Sequence, residues 1–468
     1  MSLAVVKVGG SLLGSSDELA SVVAALAERR RAGERLLVVA SALRGVTDQL
    51  EAAALDALDP RSGGEIVRAV VDRLRARHEE VIAGHPAAAA MRLSTRGALD
   101  GVERLLTGIR LMGELTDRAH DLLLAHGERL SAPLLAEALR VAGVDARAVT
   151  AEEAELRAVG PFRVGSCDLA ASRAGLQALQ HELHDRILVL TGFYGVNDAG
   201  DIVLFGRGGT DYTAGVAAAG LAADALELWK DVPGFLTADP LAVPEARLVP
   251  ELSFDEACEL GYYGARILHP RCLEPLRGSA TRISLRALSD VAAAGTRIVE
   301  RREPRSDAQV SALVHRDGVA VVRVEGPAMV NQPGVAGRIL TAVGELGVNV
   351  DALASSMTSL SFTIDDRDAG LVRRTLRLLQ EQNVVGLERF ELIRDVSLVG
   401  VVGDGVAAHA WVAARMLSCL AGCGLHVELI SHGPGDVGLS CVVPAGGLHD
   451  AIAALHAAFF TVDVPSRP

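Results

Sequence analysis

Residues 203–214 read VLFGRGGTDYTA, and the apolar run AGVAAAGLAADALEL begins at Ala214. Six consecutive positions hold Gly206, Arg207, Gly208, Gly209, Thr210 and Asp211. Glycine-rich backbone opening onto a helix offers its N–H groups to an anion. Arg207 can grip a carboxylate through two parallel hydrogen bonds. Asp211 has no use for an anion; it suits an amino group, a Mg²⁺ ion, or the orienting of a lysine elsewhere. Together these groups fit a zwitterion lying beside a phosphate donor. A purely structural alternative makes Thr210 or Asp211 a helix N-cap and Arg207 a surface charge. Capping and chemistry are compatible, so both readings stand.

Three other stretches have the composition of a site. Lys7-Val8-Gly9-Gly10-Ser11 places two glycines after a strand, with a lysine able to reach a β- or γ-phosphate. It lacks the Gly-x-x-x-x-Gly-Lys-Ser/Thr spelling and is not a P-loop; by itself it also suits an ordinary turn. Trp229-Lys230-Asp231-Val232-Pro233-Gly234-Phe235-Leu236-Thr237-Ala238-Asp239-Pro240 carries two turn signals around Lys, Asp and Thr, fit to clasp a nucleotide or to form a stiff hairpin. His126-Gly127-Glu128-Arg129-Leu130-Ser131 puts a glutamate in a helical first turn, where a carboxylate also complements the helix dipole. The 13 histidines form no HExxH or other ligand-spaced cluster, and no protein-held metal is expected. Of the 46 Lys and Arg residues only Lys7 and Lys230 are lysines. Both fall in these motifs, where a slim ammonium fits and a broad guanidinium does not.

These loops need elements to hold them. LAVVKV, RLLVVA, DARAV, ILVLT and ALELWK read as buried strands separated by helical patterns, including a long Ala/Leu/Arg stretch over 49–126. Strands alternating with helices predict a mostly parallel α/β sheet. The loops after Val8, Val39, Thr191 and Leu228 all follow strands, where such sheets bind ligands. Charge and proline break the pattern near RIVERREPRSDAQV. Beyond that point the chain repeats at an offset of 77 residues: Val322 and Val399, Gly326 and Gly403, Val335 and Val412, Arg338 and Arg415, Gly347 and Gly424 coincide. Each copy is a small βαββ-type module, and neighbouring copies of such a unit bury one another.

The bulk numbers bound the partners. With 468 residues and 50% hydrophobic composition the chain holds several domains with large cores. A net charge of -13 argues against nucleic acid or an anionic membrane surface. No apolar run reaches the roughly 18 residues of a membrane span. Six scattered cysteines (167, 258, 272, 419, 423 and 441) read as core thiols, Cys419 and Cys423 included. The start MSLAVVKVGG lacks a targeting pattern, and a reduced, cytoplasmic enzyme is expected.

Taken in order, KVGGS, VVASALRGVTD, HGERLS, GFYGVNDAGDIVLFGRGGTDYTA, WKDVPGFLTADP and LSFDEACELGYYGARILHP resemble the aspartate kinases of the amino-acid kinase superfamily. The resemblance covers most of the chain and extends to two C-terminal ACT-type modules. It implies an α/β fold: a three-layer α/β/α kinase domain over 1–300, a linker over 301–312, and two ferredoxin-like (βαββαβ) ACT domains over 313–390 and 391–468. It implies that the second ACT unit is inserted in the first, so that the C-terminal tail completes the first. The implied reaction moves the γ-phosphoryl of ATP, with Mg²⁺, to the β-carboxylate of L-aspartate. That step opens the route to lysine, threonine and methionine.

Carried over by resemblance, Lys7 stabilises the transferring phosphoryl group, Gly9, Gly10 and Ser11 hold phosphate, and Asp211 organises the centre. Ser41, Thr47, Gly208, Gly209 and Thr210 line the aspartate pocket, Glu128 meets the amino group, and Arg207 grips the α-carboxylate. Lys230, Asp231, Leu236, Thr237, Asp239 and Arg266 fall to the nucleotide. The family often has threonine where Lys230 stands and lysine where Arg266 stands. Lys230 is therefore expected to take over charge that the family's lysine supplies at the Arg266 position. Asn331, Gln332, Gly334, Val335, Asn349, Val350 and Asp351 match the effector pattern, for lysine or threonine, while Ala410-Trp411 and HGPGDVG depart from it in the second copy. A homodimer or higher homo-oligomer through the ACT domains is implied. The alternatives are an acid kinase for glutamate or N-acetylglutamate, and a catalytically silent amino-acid sensor.

Overall fold

The computed structural model describes residues 2–59, 61, 63–263, 267–302, 309–326, 333–382, 387–432 and 437–461. The chain forms two compact units. The first comprises Met1–Phe235, Pro250–Phe254 and Ile267–Glu300; the second comprises Leu236–Val249, Asp255–Arg266 and Arg301–Pro468. Two stretches of the expected 1–300 domain, 236–249 and 255–266, thus fold with the second unit. The first does so because Ala238 and Val243, 2% and 4% exposed, are part of that unit's core. The expected linker 301–312 is also shorter, since a strand already runs from Gln309; its residues 303–308 lie outside those described.

In the first unit an eight-stranded mixed sheet has the order Glu251–Ser253, Thr296–Val299, Arg282–Ala287, Ala225–Lys230, Leu3–Val8, Arg35–Ala40, Ile187–Thr191, Ala146–Val149. Its centre is parallel, and Leu3–Val8 is buried at all six positions. That burial on both faces is why the strands read as continuous apolar runs rather than alternating ones. Register brings the strand ends level: Val8 lies opposite Ala40 and Trp229, and Ala40 opposite Thr191. The loops that follow therefore emerge along one edge. Helix His126–Val141 packs on three of these strands, and helix Gly209–Gly220 on the central ones. The second helix is apolar nearly all round, and eleven of its residues are buried.

The second unit is built on a six-stranded antiparallel sheet ordered Leu353–Ser355, Ser359–Asp365, Gln309–Glu325, Arg389–Asp404, Gly438–Pro444, Leu429–Ser431. The two central strands are long because each serves both modules. Val319–Glu325 and the start of Arg389–Asp404 complete the first module, while Gln309–Arg316 pairs with Leu398–Asp404 in the second. The nesting is therefore the reverse of the expected one. The first module lies within the second, whose last strand comes first in the chain, and no C-terminal tail is needed to complete the first. The crossover in each long strand is a residue with positive φ, Gly318 at 68° and Asp395 at 56°, and these positions are 77 residues apart, the offset of the repeat. Register shifts around Arg316 and Val319 record the bulge there. No helix among the described residues is long and apolar enough to cross a membrane.

Candidate functional site

The loops at the level strand ends of the first unit enclose a cavity of about 200 Å³, lined by Lys7, Ser41, Thr47, Glu128, Phe193, Gly208, Gly209, Thr210 and Asp211. Close backbone packing brings the loops together. A Cβ on Gly10 would fall 2.5 Å from the Ala42 carbonyl oxygen, so only glycine lets the first loop lie against the second. The third element is the N-terminus of helix Gly209–Gly220, entered through Gly208 in the left-handed region at φ 71°. Gly208, Gly209, Thr210 and Asp211 of this terminus line the cavity, and a helix N-terminus favours negative charge.

Charge is concentrated on one carboxylate. Lys7 Nζ lies 2.7 Å from Asp211 Oδ1, and Lys230 Nζ lies 3.4 Å from Asp211 Oδ2. The only two lysines of the chain thus share a single buried partner. Burial works to raise the Asp211 pKa, but the ammonium groups of Lys230 and Lys7 outweigh it and hold the carboxyl well below the usual carboxylate range. Burial, aided by the neighbouring Lys230, lowers the Lys7 pKa despite the pull of Asp211.

Glu128 also lines the cavity. It is 2% exposed, its Oε1 accepts from the Ala42 N–H at 3.1 Å and from the Thr210 hydroxyl at 3.4 Å, and its Oε2 has no hydrogen-bond partner. Burial pushes its pKa up to about 8. Ser41 Oγ stands 3.5 Å from Thr210 Oγ1 and joins the same chain of polar groups. The cavity therefore offers a buried carboxyl with one unpaired oxygen and the Lys7 ammonium, whose partner Asp211 is shared with Lys230.

Eight of the nine lining residues carry expectations from the sequence; Phe193 does not. Its φ is 78°, an unusual conformation for an aromatic residue. The turn is held because the Phe193 N–H donates to Thr213 Oγ1 at 3.0 Å and its carbonyl accepts from the Phe205 N–H at 2.8 Å. Its position after the Thr191 strand end, in TGFYG, was the available signal.

The other expected residues are placed less centrally. Arg207 is exposed and does not line the cavity. Gly9 is buried, with a hypothetical Cβ 3.4 Å from Lys7 Nζ, and Ser11 follows in a short 3₁₀ turn. Asp231 is exposed. Leu236, Thr237 and Asp239 belong to the second unit. The Thr237 hydroxyl there accepts from the Arg247 N–H at 2.9 Å and lies 3.0 Å from His456 Nε2, so its polar capacity is already used. Asp239 Oδ1 accepts from the Leu241 N–H. Arg266, Asn331 and Gln332 lie outside the described residues.

Of the effector candidates, Gly334 caps helix Val335–Gly344 at φ 87°, and Val335 is buried in the first module's core. Val350 packs against that core. Asn349 and Asp351 form a polar cluster with Tyr262. Tyr262 donates to Asp351 Oδ1, Asn349 Nδ2 donates to the Tyr262 oxygen at 2.7 Å, and Arg316 reaches Asp351 Oδ2 at 2.5 Å. Among the described residues no group of three His, Cys, Asp or Glu side chains could hold a metal ion.

Comparison with known proteins places these features among relatives. Residues 2–286 match the profile of the amino acid kinase family, and residues 322–378 and 399–459 match that of the ACT domain. The chain is 32% identical over 363 residues to a bifunctional aspartokinase/homoserine dehydrogenase of Haemophilus influenzae, covering 77% of this chain and 44% of that protein. The chain spans about half the length of the bifunctional relatives it matches, 44% and 51% in the Haemophilus and Arabidopsis thaliana proteins. The crystal structure of Escherichia coli aspartokinase III with aspartate and ADP (R-state) superposes with a TM-score of 0.82 at 25% identity, covering 98% of this chain and 100% of that one. The same enzyme with lysine and aspartate (T-state) gives 0.80 at 26% identity, covering 98% and 99%.

Proposed function

The chain belongs to the amino acid kinase family, and on that premise we propose that it is an aspartate kinase, forming 4-phospho-L-aspartate from L-aspartate and ATP. The observation that carries this reading is the cavity lined by both Glu128 and the Lys7–Asp211 pair, with Lys230 on the same Asp211 carboxylate. A zwitterionic amino dicarboxylate fits that polarity. Its ammonium meets the unpaired Glu128 Oε2, while Ser41, Thr47 and the N–H group at Thr210 take carboxylate oxygens. Arg207, one residue before the lining Gly208, supplies the guanidinium for the α-carboxylate when substrate is bound.

The chemistry asks little of the protein beyond placement. An oxygen of the β-carboxylate attacks the γ-phosphorus, the bond to the β,γ-bridging oxygen breaks, and ADP leaves with that electron pair. The nucleophile is already an anion, so no general base is required. Lys7 and Lys230 neutralise charge on the moving phosphoryl group, and Asp211 fixes both ammonium groups in a dry site, where preorganised charge is most effective. Gly9, Gly10 and Ser11 hold phosphate. Asp211 has both oxygens engaged by lysine, so Mg²⁺ fits as part of MgATP, carried by the phosphate oxygens and not by a protein cage.

The ACT modules support feedback control by an amino acid, with Asn349 and Asp351 as recognition groups and lysine or threonine as the candidate ligands. Both end strands of the six-stranded sheet expose apolar side chains, Leu353 at 42% and Ile430 at 43%, which supports self-association through the modules. None of the six cysteines forms a disulfide, which supports a reducing, cytoplasmic setting.

The deciding experiment incubates the protein with MgATP and L-aspartate and traps the acyl phosphate as hydroxamate, with and without lysine and threonine. Aspartate-dependent hydroxamate is expected. Product only with glutamate or N-acetylglutamate would make it a different acid kinase, and no product with any of them would favour the sensor.

A further inference from the structure

His269 does not line the cavity and has no assigned role, yet it touches the turn that builds the cavity's floor. A Cβ on Gly208 would fall 2.2 Å from His269 Cβ and 2.3 Å from its Cγ. The imidazole base therefore lies against the bare Cα of Gly208, the residue through which the chain enters helix Gly209–Gly220. That entry has a left-handed φ of 71° and no side-chain cap. Two helical turns further on, a Cβ at Gly215 would fall 2.1 Å from the Cys272 carbonyl oxygen. Glycines two turns apart share one helix face, so residues 269–272 lie along it in a groove that only glycine can leave open. Arg271 fastens the segment: it donates to the Phe205 carbonyl at 2.7 Å and the Gly165 carbonyl at 2.9 Å, and its guanidinium lies 4.5 Å from the Tyr212 ring centre. The Phe205 N–H in turn holds the carbonyl of the cavity residue Phe193.

The imidazole is also electrostatically matched to its place. Nδ1 is buried and has no hydrogen-bond partner among the described residues. Burial lowers the pKa of the ring, with Asp211 and Glu274 pulling the other way and Arg271 and Arg207 adding to it. A neutral ring beside Asp211 leaves that carboxylate to Lys7 and Lys230, where a third cation would compete for it.

Resting on the aspartate kinase reading, we propose that His269 is a positioning residue for phosphoryl transfer, holding the Gly208 turn that carries Thr210 and Asp211 into the cavity. It contacts no substrate; it sets where the groups that do are found. Small displacements of such groups cost about 10²-fold in rate, so the effect falls on kcat.

The test is a kinetic cycle in the full chain, using the hydroxamate assay with wild type, His269→Ala, His269→Asn, His269→Gly, Gly208→Ala and the double variant Gly208→Ala/His269→Gly. His269→Ala is expected to lower kcat by roughly tenfold to a hundredfold, with KM for ATP within about twofold and the thermal transition retained. His269→Asn keeps Cβ and a planar group against Gly208 and is expected to recover most of the rate. Gly208→Ala alone drives a methyl into His269 Cβ and the ring; His269→Gly removes all three of these contacts, so the double variant loses less than the two single losses combined. A kcat within about twofold of wild type in His269→Ala overturns the proposal. So does strict additivity in the cycle, or a loss that only follows the unfolded fraction and is not rescued by asparagine. A wild type silent with aspartate defeats the underlying reading and this proposal with it; an active wild type with an unaffected His269→Ala defeats this proposal alone.

Discussion

Glu128 and Lys230 are the residues at which the site's electrostatics can be tested most directly. Burial keeps the Glu128 carboxyl protonated up to about pH 8 in the ligand-free protein, whereas an ammonium ligand needs it charged. Aspartate binding should therefore release a proton, and KM for aspartate should fall as pH rises towards 8. Glu128→Gln should remove that pH dependence and raise KM throughout; a pH series of KM values checks both. The stability sign is opposite to that of a salt-bridged carboxylate. Between the ordinary value of 4.5 and about 8 the folded state holds the extra proton, so this group's contribution falls as pH rises. Lys230 sits on the same carboxylate as Lys7. If it neutralises phosphoryl charge, Lys230→Met should lower kcat by roughly 10²–10³-fold, the usual loss for one such donor. A change confined to KM for ATP would instead make it a nucleotide contact.

At the scale of elements, the paired long strands of the second unit explain how two modules share one sheet. Each strand passes from one module to the other at a left-handed residue, Gly318 in one and Asp395 in the other. Glycine takes that conformation without strain, while an L side chain with Cβ costs roughly 1 kcal/mol or more. Gly318→Ala should therefore destabilise the chain by about 1 kcal/mol, whereas Asp395→Gly should be neutral or stabilising, as read from paired denaturant melts. Equal destabilisation by both would mean that the Asp395 side chain holds the crossover rather than merely tolerating it. The stretch Leu236–Val249 is set by the same packing. With Ala238 and Val243 in the second module's core and Thr237 bonded beside His456, its sequence serves that module first.

For the whole molecule, the proposed regulation turns on the cluster joining Asn349, Asp351, Arg316 and Tyr262. Asp351 is nearly buried, with each oxygen already engaged, so an amino-acid ligand reaching it must displace part of this network. Tyr262→Phe removes one competitor and should lower the lysine or threonine concentration giving half inhibition, measured in the hydroxamate assay. No shift, with either amino acid inhibiting, would place recognition elsewhere in the modules. Association through the exposed end strands should give a sedimenting species of at least twice the 48.8 kDa chain mass.

Much of this was legible in the residues themselves. Glycine-rich turns after apolar strands, an acid near an arginine and two lysines confined to the strand ends beside such turns specify chemistry through local backbone freedom and charge type, which do not depend on distant packing. The 77-residue repeat likewise announced two modules, since repeated apolar spacing is a local property. What the sequence left undetermined depends on contacts between residues far apart in the chain. Only the fold decided that Lys7 and Lys230 meet on Asp211, because parallel register sets which strand ends lie level. Only the fold brought Phe193 into the wall and reversed the nesting of the modules, because strand pairing is chosen by burial and register across hundreds of residues.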